Sequence, residues 1–163
     1  MRPLSETFYE TLLTACRAVY GGNLVSLAVF GSWAQATATP QSDIDLLVVA
    51  LELPDGRGRR CRQFDPVDEA THAARAALWG ANVPVPVLSP VFKTPSEVEA
   101  GSPLFLGMTD HIILRFDKND FLQEYLHGLR SRMKQLGTTR RWYMGGYYWD
   151  YKPDFRPGEV VTL

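Results

Sequence analysis

Residues 27 to 50, LAVFGSWAQATATPQSDIDLLVVA, decide how this chain folds. An apolar run ends in Gly31-Ser32, ten residues follow from Trp33 to Ser42, and Asp43-Ile44-Asp45 opens a second apolar run. Strand side chains alternate faces at about 3.3 Å per residue, so Asp43 and Asp45 emerge on one side about 6 to 7 Å apart while Ile44, Leu46 and Val48 point into a core. Neighbouring carboxylates repel unless something positive lies between them, and a hard divalent cation with oxygen ligands meets that need. Gly31-Ser32 leads into Ala34-Gln35-Ala36, a helix-compatible stretch where exposed backbone N–H groups can meet an anion. A phosphate seat and a metal seat are thus expected at one edge.

Gly-Ser, ten residues, then Asp-x-Asp resembles the signature of the nucleotidyltransferases of the DNA polymerase β superfamily, in length most like its minimal members. The strand-turn-helix-strand context, roughly residues 5 to 90, carries the resemblance. It implies an α/β (α+β) fold, a mixed β-sheet with helices packed on it, over residues 1 to 138. Residues 139 to 163 are expected to form an aromatic C-terminal extension packed on the same domain.

The resemblance also implies a chemistry. Asp43 and Asp45 would be the catalytic and metal-holding pair for Mg²⁺ or Mn²⁺, and Gly31, Ser32 and Ser42 would bind the nucleotide. A nucleoside monophosphate would pass from an NTP, ATP foremost, to a hydroxyl acceptor, with pyrophosphate released. Minimal members often work beside a small helical HEPN partner, some modifying it with AMP, so such a partner is expected here. Active members carry a third acidic residue on a later strand. Val83-Pro84-Val85-Pro86-Val87-Leu88, the stretch read as the third strand, has none. Either Asp110, Asp150 or Asp154 supplies the third ligand, or the chain binds a single metal, or it is a degenerate fold acting as a nucleotide sensor or antitoxin-like subunit.

Composition sets the surroundings. The 163 residues suit one domain, 45% hydrophobic and 21% charged, and a formal charge of −1 argues against a general nucleic-acid coat. Cys16 and Cys61 have neither the partners nor the spacing of a zinc site or disulfide framework. No apolar run reaches the 18 or so residues that span a bilayer and no signal region opens the chain, so a cytoplasmic protein without a membrane partner is expected.

Around the signature, helical spacing predicts a helix from Ser5 to Tyr20, with Glu6 in its first turn, ended by Gly21-Gly22-Asn23 before a strand from Val25 to Phe30. Glu52 to Gln63, with two glycines, a proline and four arginines, reads as a surface loop, either solvated or closing over phosphates. Asp65-Pro66 then reads as an N-cap with proline at the first helical position, Asp68 and Glu69 at the positive end, and Val67, Ala70, Ala74 and Ala77 as the buried stripe. Pro95 to Ala100 and Pro103 to Met108 read as short helical turns with Glu97 and Glu99 solvated. Ile112 to Phe116 reads as a fourth strand. The stripe Phe121, Leu122, Tyr125, Leu126, Leu129, Met133 and Leu136 predicts a helix capped by Asp117 or Asn119 and closed by Gly137. His72, His111 and His127 lack ligand spacing.

Arg140 to Phe155, RRWYMGGYYWDYKPDF, is densely aromatic, and residues 130 to 152 hold six Arg or Lys against one Asp. Gly145-Gly146 is expected to make a hairpin turn in a closing strand that buries its rings against the sheet. The alternative is a platform for a base or an acceptor built on Trp142, Tyr143, Trp149 or Tyr151.

Overall fold

The computed structural model describes residues 4–79 and 83–161; the few outer residues of the two expected segments lie outside it. Helix α1 (Glu6–Tyr20) starts where Ser5 accepts a hydrogen bond from Phe8 N at 3.1 Å and stops at Gly21, whose φ of 54° breaks the helical path. Its apolar stripe of Phe8, Leu12 and Cys16 is fully buried. A 3₁₀ turn, Gly21–Asn23, feeds β1 (Leu24–Phe30), then the single turn α2 (Gly31–Ala34) and β2 (Ile44–Ala50).

Strand β1 pairs antiparallel with β2, and β3 (Leu88–Lys93) lies parallel to β2. Helix α3 (Arg57–Ala76) makes the crossover between these two strands, as a parallel connection requires. After the short helices α4 (Pro95–Glu99) and α5 (Leu104–Met108), strand β4 (Ile113–Asp117) pairs antiparallel with β1. The mixed sheet has the order β3-β2-β1-β4. Ile44, Leu46 and Val48 join Phe8, Leu12, Phe64 and Val67 on one face; Leu47 and Val49 join Phe105, Leu106 and residues of α6 (Phe121–Leu136) on the other. Both faces of β2 are therefore covered beyond Asp45, and only its first residues are open to chemistry.

Helix α6 shows how a distant cap works. Asp120 at its start makes no side-chain cap, but the Asp117 carboxylate accepts from Leu122 N at 3.1 Å and Gln123 N at 3.0 Å, and from the Ser26 hydroxyl at 2.6 Å. Gly137, at φ 69°, closes the helix in the left-handed conformation.

Several expectations fail, each for a physical reason. Arg57 to Gln63 is helix: Arg60 donates to Pro54 O at 2.9 Å, Phe92 O at 3.2 Å and both Glu97 oxygens, which fixes the first turns of α3. Asp65 is then no cap and Pro66 lies inside the helix. The buried face is Phe64, Val67, Thr71 and Arg75, with Ala70 and Ala77 exposed. Asp68 pairs with Arg75 at 2.9 Å. Glu97 is bound by Arg60 and completes a capping box with Thr94.

The third strand begins where the expected one ends. Pro84 and Pro86 have no N–H to donate, so ladder pairing starts only at Leu88; Pro90 is tolerated because β3 is an edge strand. The aromatic tail forms its own two-stranded sheet, β5 (Thr139–Tyr143) and β6 (Gly146–Asp150), separate from the main one. It turns at Met144-Gly145, both with positive φ, one residue before the expected turn. Its rings are not buried as expected: Trp142 is 77% exposed and Tyr143 69%, and Trp149 alone among the hairpin's aromatics packs on the core.

Candidate active site

Phe30 and Asp45 are direct partners across β1 and β2, and Gly31 follows Phe30 immediately. A β-carbon on Gly31 would overlap Asp45 Oδ2 and lie 3.1 Å from its Cγ. Gly31 also holds φ at 66°, which side-chain-bearing residues adopt at a cost. Both properties demand glycine, so the bend and the carboxylate occupy one site. Asp43 is exposed one residue before β2, and Ile44 N donates to Val87 O at 2.8 Å, tying down the strand between the two acids.

The pair carries uncompensated charge. Burial, then the charge of Asp43, raises the Asp45 proton affinity above that of an ordinary aspartate; the Ser89 hydroxyl acts the other way. Neither Asp43 nor Asp45 has a Lys or Arg partner among the ion pairs of the described residues. An exposed and a half-buried carboxylate, neither ion-paired among the described residues, are a donor set suited to a hard divalent ion.

Parallel pairing sets Ser89 beside Asp45. The neighbouring-strand position next to the acidic pair thus carries a hydroxyl in place of a carboxylate. Asp110 is paired with Arg140, Asp150 with Arg141, and Asp154 is exposed on the tail. No cluster of three or more His, Cys, Asp or Glu residues suited to a metal occurs among the described residues. Ser89 escapes the sequence reading because the expected strand, Val83 to Leu88, stops one residue short of it while the observed strand starts at Leu88.

The other residues of the signature divide by role. Ser32 is half-buried in α2, and its carbonyl accepts from Thr37 N at 2.9 Å. Ser42 spends its hydroxyl on the preceding turn, accepting from Thr39 N at 2.9 Å. Arg60 of α3 is held away from the acids, anchored at Phe92, three positions along β3 from Ser89 or about 10 Å; Arg75 reaches Pro86 O at 2.7 Å but is ion-paired with Asp68. A cleft of about 250 Å³ also opens beside Gly31, walled by Phe30, α5 and the hairpin rings Tyr147 and Trp149. No helix among the described residues is long and apolar enough to cross a membrane.

Comparison with known proteins agrees with this geometry. A nucleotidyltransferase domain family matches residues 10–76. A Methanocaldococcus jannaschii protein whose name proposes a protein adenylyltransferase is 30% identical over 130 residues, covering 78% of this chain and 82% of that protein. Among solved structures, a toxin-antitoxin chain crystallised with AMP-PNP superposes with a TM-score of 0.52 at 16% identity, covering 78% of this chain and 88% of that one. The spectinomycin adenyltransferase AAD(9) of Enterococcus faecialis, solved with ATP and spectinomycin, gives 0.53 at 15% identity, covering 82% of this chain and 66% of that one.

Proposed function

This chain belongs to the nucleotidyltransferase family, and from that premise we propose that it moves a nucleoside monophosphate from ATP to a hydroxyl acceptor with Mg²⁺ or Mn²⁺ as cofactor. The observation that carries the reading is the Asp45 carboxylate packed on Gly31, with Asp43 alongside and neither acid ion-paired to a Lys or Arg among the described residues. Asp43 and Asp45 would hold the ion, whose charge stabilises the transferring and leaving oxygens. Gly31 and Ser32 seat the outer phosphates, and a side chain at position 31 would collide with the Asp45 carboxylate beside them. The acceptor oxygen forms a bond to the α-phosphorus as the bond to the β-phosphate bridging oxygen breaks. Pyrophosphate leaves, and the hydroxyl proton passes to water.

The relative's proposed naming as a protein adenylyltransferase supports a protein hydroxyl as acceptor, and the toxin-antitoxin neighbour supports a partner subunit, here a HEPN-type protein. A second reading is a nucleotide-binding, antitoxin-like subunit that has lost transfer. Ser89 in place of a carboxylate beside Asp45 favours it.

Incubation with ATP labelled at the α-phosphate, Mg²⁺ and the candidate partner separates the two. Label on the acceptor that vanishes in Asp43→Asn and Asp45→Asn, with folding unchanged, establishes transfer. Tight nucleotide binding with no label on any acceptor establishes the non-catalytic subunit.

A further inference from the structure

The cleft beside Gly31 lies on the same sheet face as Asp45, because Phe30, its inner wall, is the direct partner of Asp45. Its opposite wall is Tyr147 and Trp149 of the hairpin. These two rings meet edge to face, with centres 6.3 Å apart and planes at 87°, so one presents a face where the other presents an edge. Arg140 holds both: its guanidinium lies 4.7 Å from the Trp149 ring centre and 5.2 Å from that of Tyr147, and it is ion-paired with Asp110 just beyond α5. The hairpin is thereby held against the body of the domain beside Gly31, at the end of β1 that faces Asp45.

We propose that this cleft receives the nucleobase of the donor nucleotide, with Trp149 as its stacking surface. The inference rests on the acidic pair being the phosphate and metal seat. At about 250 Å³ the cleft is smaller than the pockets that enclose whole drug-sized ligands, and it suits one flat ring system. Its walls are aromatic and apolar, the surroundings that stack a base; its polar groups, Gln35 and His111, can meet a ring edge by hydrogen bonds. None of its lining residues is Lys or Arg, so it does not compete for the phosphates. A base held there has its phosphates led along Gly31 toward Asp45. The hairpin that supplies Tyr147 and Trp149 lies outside residues 10–76, the part that the family match covers.

Calorimetric titration of the full chain with Mg²⁺ and a non-hydrolysable ATP analogue, beside a titration with inorganic tripolyphosphate, tests this. Wild type binds the analogue more tightly than tripolyphosphate. Trp149→Ala weakens the analogue roughly 5- to 150-fold, the range for losing one base stack, and leaves tripolyphosphate unchanged; Trp149→Phe keeps most of the affinity. Analogue affinity unchanged in Trp149→Ala overturns the proposal, including the case where that variant instead raises KM for the acceptor. Equal losses of analogue and tripolyphosphate in Trp149→Ala overturn it too, because the ring then acts on the whole domain. Wild type that binds neither ligand overturns the phosphate and metal seat itself.

Discussion

The two ends of the β2–β3 pair treat charge in opposite ways. At the Lys93 end, Arg60 meets both Glu97 oxygens at 2.9 and 3.0 Å and two backbone carbonyls besides, so the charge is consumed within the fold. At the Ile44 end, Asp43 and Asp45 stand side by side with a serine and a glycine as neighbours. The arginine-rich stretch, read in sequence as a loop either solvated or closing over phosphates, is spent in the structure on holding a helix. Charge left unanswered, at a cost to the fold, marks the end available for a ligand.

Substitutions at each end test the contrast. The largest effect is expected from Asp45→Asn: transfer should fall by about 10²- to 10³-fold or more, the scale of removing one preorganised electrostatic contact, measured with α-labelled ATP. Gly31→Ala comes next. The added carbon must displace the Asp45 carboxylate and hold a positive φ, so about 1–3 kcal/mol of stability should be lost in urea melts and metal affinity should fall with it. At the other end, Glu97→Ala removes an ion pair and a capping box. About 1 kcal/mol should be lost, since Glu97 is partly solvated, with transfer unchanged. A loss of transfer there matching that of Asp45→Asn would erase the distinction between the two ends.

The smallest effect concerns pH. The folded-state pKa of Asp45 is raised by burial and by Asp43, so the native state binds that proton more tightly than the unfolded chain. The stabilising contribution of protonated Asp45 is present below the ordinary aspartate pKa and disappears as pH rises through the raised value. Without metal, Asp45→Asn should therefore melt higher than wild type at neutral pH. The difference should shrink as pH falls through that window. An equal or lower Tm for the variant at pH 7 would mean that the carboxylate is not destabilised in the fold.

How much of this was legible in the sequence differs from element to element. Helices α1 and α6 and strands β1 and β2 were, because periodicity, Ser5, Asp117 and Gly137 act locally. The Gly31 and Asp45 pairing was also legible, since strand alternation and the short excursion from Trp33 to Ser42 leave few ways to connect them. The start of α3 was not: Gly56-Arg57-Gly58-Arg59-Arg60 has loop composition, and its helix depends on Arg60 reaching Phe92 and Glu97, contacts far away in the chain. Ser89 became visible only with the parallel register, which two prolines delay by several residues. The hairpin reads as core by its ring content, yet the turn at Met144-Gly145 sends most of those rings to the surface.

The central claim is the joining of metal and nucleotide at the Gly31 end, and a crystal grown with Mn²⁺ and a non-hydrolysable ATP analogue examines it most directly. An anomalous peak between the Asp43 and Asp45 carboxylates, with phosphate oxygens against Gly31 and Ser32, is the predicted result. Manganese bound elsewhere, or the triphosphate lying along Arg57 to Arg62, would contradict it.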